Sequence, residues 1–146
     1  MDNDLDDRTS LLGVDAAHEA AYLGALDTYE RENGRMADPA WRALLYIGTG
    51  DPALWAWMRQ KLDYRQDRAD LRPLLPGSDR DDTELPDLFR AYLNSPHIMT
   101  LLELARHLHG GPDGVTQINL AGMIQGLRDH YYQVMIGALR EYRGRQ

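Results

Sequence analysis

The sequence predicts an all-α protein: a single compact domain of five to seven short helices, packed as an irregular or orthogonal bundle. Three observations carry this expectation. Apolar residues recur at spacings of three and four along most of the chain, and no segment alternates as a half-buried strand does. Asp-Pro and Ser-Pro pairs also stand where helices would begin. Proline suits the first helical turn because its missing N–H would have no intrahelical partner there. The Asp or Ser before it accepts from the next free amides.

Residues 1–13 read as a flexible acidic arm ahead of a helical domain spanning 14–146. The first helix runs from about Asp15 to Glu32, with Tyr22, Ala25, Leu26 and Tyr29 on its apolar stripe and Asn33-Gly34 as its stop. A second follows Asp38-Pro39, carries Trp41, Leu44 and Leu45, and ends at Gly48-Thr49-Gly50. A third follows Asp51-Pro52 with Leu54, Trp55, Met58 and Leu62 as its stripe. Continued as a helix, it places Asp63, Asp67 and Asp70 on one face near Arg59, Arg65 and Arg68, a pattern of intrahelical ion pairs.

Residues 65–85 form the least regular internal stretch, and Leu85-Pro86 is a further proline step. After Ser95-Pro96, the spacing of Ile98, Leu101, Leu102, Ala105 and Leu108 predicts a helix that stops at Gly110-Gly111-Pro112. The last third divides into helices over about 116–127 and 129–143, the second capped by Asp129, with one bent helix as the alternative. Gly122, Gly126 and Gly137 each cost about 1 kcal/mol against Ala in a helix interior. At least one is therefore expected to serve close packing or a bend.

Charge narrows the function classes. Residues 1–38 hold ten acids against three arginines, which accounts for the whole net charge of -7. Free nucleic acid is not an expected ligand outside a larger complex, because phosphate affinity grows with the number of neutralising cations. The basic tail Arg140, Arg143 and Arg145 reads as cations opposing a helix macrodipole. Cysteine is absent, which excludes disulfides, thiol catalysis, iron–sulfur ligation and cysteine-bound zinc. The acidic N-terminal residues do not resemble a leader, and no apolar run is long enough to span a membrane. The cytoplasm is the expected compartment.

No phosphate-binding loop, dinucleotide fingerprint, nucleophile elbow or His-Glu-x-x-His motif occurs. His107 and His109 lie two apart, so on a helix their rings point away from one another; beside Gly110 they suit the terminal carbonyls. Asp79, Asp81 and Thr83 alternate like calcium ligands, but the sixth position lacks glycine and the twelfth is Arg90. No metal or cofactor is expected. Trp55 and Trp57 cannot share one helix face. With Trp55 on the stripe, Trp57 turns toward a second surface, packed on the loop or first helix or exposed as an anchor for a partner.

The order Ala43-Leu44-Leu45-Tyr46-Ile47, Gly50-Asp51, Leu54, Leu62-Asp63-Tyr64, then Leu101-Leu102, Leu104-Ala105, Leu108 and Gly110 resembles a family of short uncharacterised bacterial proteins. That family is a domain of unknown function found in mobile elements and prophages, and the resemblance covers residues 36–143. It implies a small helical protein without an assigned activity. The chain departs from the family pattern at Arg106 and at His109-Gly110.

The leading functional expectation is a non-enzymatic interaction or regulatory factor, an accessory protein of a phage or mobile element acting as an inhibitor or as a helical subunit of an assembly. Its protein partner would be engaged through Trp57, Arg106, Arg72, Asp79, Asp81 and Asp82, and homo-oligomers are a further form. The alternative is a small hydrolase or metal-dependent enzyme using His107, His130 and nearby carboxylates.

Overall fold

A computed structural model describes residues 12–69, 96–110 and 120–144. Six α-helices occur among them: α1 Ala16–Asn33, α2 Pro39–Thr49, α3 Pro52–Met58, α4 Pro96–Gly110, α5 Leu120–Gly126 and α6 Asp129–Arg143. The starts obey the capping chemistry. Asp15 accepts from His18 N, Asp38 from Trp41 N at 2.9 Å, and Asp51 from Ala53 N and Leu54 N. Ser95 lies outside the described residues. Gly34 closes α1 in the left-handed conformation at φ 69°, donating its amide to Glu30 O.

The arrangement is built around α2. From Ala43 to Gly50 every residue is buried, as is Trp41, so the last two turns of α2 are enclosed on every side. It packs on α6 and α4 above all, and also on α1 and α3. Leu44, Leu45 and Ile47 are fully removed from water, each worth about 1.5–3 kcal/mol. The α4 stripe is buried at all five expected positions, with Leu104 added. Gly137 lets α6 lie against α2, since a Cβ there would overlap the Tyr46 ring.

Two local expectations are corrected. The third helix does not reach residue 70. It ends at Met58, passes through a 3-10 turn at Arg59–Lys61, and becomes a two-residue antiparallel hairpin, β1 Leu62–Asp63 with β2 Arg68–Ala69. Asp63 is therefore the last residue of β1, where it accepts from Gln66 N at 3.2 Å, and Asp67 in the turn adopts a left-handed φ of 57°. Neither makes the helical ion pairs that the spacing suggested, and Asp70 lies outside the described residues. Second, Arg128 rather than Asp129 holds the cap position of α6, with no side-chain bond; Asp129 is the first helical residue. His107 and His109 do stand in the last turn of α4, and the His109 ring also packs edge-on against Trp41, 4.5 Å between centroids. The last third does form two helices. Among the described residues, no helix is long and apolar enough to cross a membrane.

Candidate functional site

The two ends of α2 carry aromatic clusters that hold the working surfaces in place. At its C-terminal end, the Val14 amide donates to His18 Nδ1 at 3.0 Å, so the ring proton sits on Nε2 and is donated to Tyr46 O, also at 3.0 Å. Burial lowers the His18 pKa below 6.5, against a favourable bond to Tyr46, and holds the ring neutral. Tyr46 packs edge-on against both His18 and Tyr22. The Tyr22 hydroxyl donates to Glu141, a buried carboxylate near the end of α6.

At the N-terminal end of α2, Trp41 meets Tyr29, Tyr64 and His109, with centroids 4.5–5.4 Å apart. The Trp41 indole N–H donates to Asp67, which ties the hairpin turn to the core. Burial lowers the His109 pKa, partly offset by Asp67 and Asp38. The Tyr64 phenol is pushed up to about 12 by burial and then by Glu32, so it stays a protonated donor.

Between α1 on one side and α3 with the hairpin on the other runs a surface trough of three successive cavities. One, of about 340 Å³, lies at the α1 N-terminus beside His18, His130 and Trp55. The next, of about 420 Å³, has Ala20, Ala21, Gly24 and Thr28 along α1, facing Trp55 and Tyr64. The last, of about 590 Å³, opens at the hairpin among Arg59, Lys61, Arg65, Arg68, Glu32 and Asp63. Arg59 lines all three. Ala17, Ala21, Gly24 and Thr28 repeat at helical spacing over about 17 Å, so the α1 backbone is approachable along the trough. The adjoining face of α1, about 100° further round, buries His18, Tyr22, Ala25 and Tyr29.

The residues singled out from the sequence fall in different places. Trp57 is half-buried against the core, with the Lys61 ammonium 5.3 Å from its ring centroid. Arg106 is exposed on α4 and is not among the residues lining the trough. Arg72, Asp79, Asp81 and Asp82 lie outside the described residues. His107 is half-buried on α4, with an Nδ1 that has no hydrogen-bond partner among the described residues. His130 rests on α2's end, its Nε2 2.6 Å from Gly50 O. Next to it the Tyr131 hydroxyl donates to Asp51 Oδ2 at 3.0 Å, joining α6 to the α3 cap. Among the described residues no three His, Asp or Glu side chains are gathered as a metal site.

Arg59, Arg65, Arg68 and Tyr64 are what sequence reasoning missed, because a run of arginines and aspartates at spacings of three and four looks like a charged helix. The available signal was Leu62 and Tyr64, whose two-residue spacing interrupts the helical stripe. The fold and the trough define a small helical protein with a groove open along one helix. No family model, curated protein or solved structure matches the chain.

Proposed function

We propose that the protein is a non-enzymatic interaction or regulatory factor of the cytoplasm, which binds a partner protein by seating one of its helices in the trough along α1. The observation that carries this reading is the small-residue floor of Ala17, Ala21, Gly24 and Thr28 under an open groove. Helices approach to about 8–10 Å depending on the side chains between them, and small residues allow the nearer approach. The half-buried Trp55 supplies an apolar wall. The histidines beside the trough support the same reading, since His18 and His130 each spend a ring nitrogen on a backbone carbonyl. The resemblance over residues 36–143 supports an accessory role in a phage or mobile element.

Gly24→Gln tests this without disturbing the fold, because a Cβ at Gly24 meets nothing within 4 Å. Tagged wild type and variant are incubated with nuclease-treated lysate of the native cells, and bound proteins are identified by mass spectrometry. A partner retained by wild type and lost by Gly24→Gln, at an unchanged or higher Tm, is the expected outcome. Equal retention by both, or no retained protein, overturns the proposal.

A further inference from the structure

The hairpin end of the trough gathers positive charge in an acidic chain. Within a protein of net charge -7, Arg59, Lys61, Arg65 and Arg68 gather around one groove. Among the described residues the single ion pair is Arg31–Asp27, at 3.0 Å, on the exposed side of α1. Among the described residues, Arg59 of the 3-10 turn and Arg65 and Arg68 of the hairpin therefore make no ion pair, although Glu32 and Asp63 line the same groove. Asp63 is already used by Gln66 N, and Asp67 by the Trp41 indole. Gln60 and the protonated Tyr64 hydroxyl add neutral donors to the same rim.

Cations that gather at one rim and make no ion pair among the described residues suit an anion. We infer that the hairpin groove binds the carboxylate side chains of an acidic segment on a partner helix, whose apolar face continues into the α1 trough. This rests on the trough reading and names the chemistry of its occupant. Two observations favour a polypeptide over nucleic acid. Three of the four cations lie only at the hairpin end, whereas the adjoining trough presents Ala21, Gly24 and Trp55 with Arg59 as its one cation among the described residues, too little charge to follow a sugar-phosphate backbone. The net charge of -7 also repels a uniform polyanion, while a peptide places its acids at one end only. Guanidinium groups suit carboxylates because their planar fork donates two parallel bonds. Tyr64 and Asp67 fix the rim to the core through Trp41, so the cations are presented on a supported turn.

The probe is a synthetic amphipathic helix of leucine, alanine and glutamine with four glutamates at one end, titrated into the full chain while tryptophan fluorescence is read. Lys61 lies over the Trp57 ring, so binding at the rim alters that signal. Arg65→Glu/Arg68→Glu alters two exposed side chains and is expected to weaken binding by about tenfold, from loss of exposed charge pairs and new repulsion. Arg143→Glu, exposed near the end of α6 and outside the trough lining, is expected to stay within about twofold by the same reasoning. A peptide with glutamine for all four glutamates should bind more weakly, and its affinity should respond less to salt. The inference is overturned if the acidic peptide fails to bind, if the hairpin reversal leaves its affinity unchanged, or if a 12-nucleotide single strand binds more tightly at equal salt. In those cases the partner-capture result with Gly24→Gln still decides the trough reading independently.

Discussion

The two ends of α2 use the same materials to different ends. At the Tyr46 end, rings from α1 and α2 close over Glu141 of α6, and Tyr22 donates to that carboxylate across 119 residues of sequence. At the Trp41 end, the rings come from α1, α2, the hairpin turn and α4, and the Tyr29 hydroxyl has no partner among the described residues. Tyr22 and Tyr29 are both fully buried on one face of α1, two turns apart, yet only one has its polar atom satisfied. The first cluster is a satisfied helix-to-helix lock. The second supports a strained turn: Asp67 sits at a left-handed φ and is retained there by the Trp41 indole.

The strongest way to break the Tyr46 end is Gly137→Leu, which drives a side chain into the Tyr46 ring and forces α6 away from α2. Overpacking of this kind costs about 3 kcal/mol, measured by urea denaturation. Next is Tyr22→Phe, expected to cost about 2 kcal/mol because Glu141 stays buried without that donor. Asp51→Ala should cost about as much, since it removes both the α3 cap and the Tyr131 bond. A loss no greater than that of an ordinary exposed cap would show that the Tyr131 bond contributes nothing.

The pH dependence is a smaller effect with a definite sign. His18 and His109 have folded pKa values below the unfolded value of 6.5, so between those values the unfolded chain binds more protons. Their contribution is fully present above pH 6.5 and is lost as pH falls through the lowered folded values. Thermal melts from pH 7.5 downward should show Tm falling below pH 6.5, and His18→Gln should flatten part of the slope. The smallest effect sharpens the contrast most: Tyr29→Phe removes an unsatisfied hydroxyl and should change stability by less than about 0.5 kcal/mol, or raise it. Equal losses for Tyr22→Phe and Tyr29→Phe would erase the difference between the two clusters.

Much of the helical frame was legible because its signals are local. Asp15, Asp38 and Asp51 cap within three residues, Gly34 ends α1 in its own turn, and the α4 stripe is complete in a single segment. The buried Glu141 was not legible, since the tyrosine that satisfies it belongs to α1. The hairpin was hidden by its own charges. Arg59, Asp63, Asp67 and Arg68 fit a helical face as well as a turn, and the Trp41 indole that holds Asp67 is 26 residues away. The trough floor was hidden too, because alanine and glycine add little to an apolar stripe and show as a surface only once the neighbouring helix and hairpin are placed.

The measurement that bears most directly on the trough as the binding surface is amide hydrogen exchange of the full chain, alone and saturated with the acidic amphipathic peptide. Added protection at residues 17–28 and 59–68, with residues 134–141 unchanged, is the predicted result. Protection centred on α4 around Arg106, with α1 and the hairpin unaffected, would contradict it.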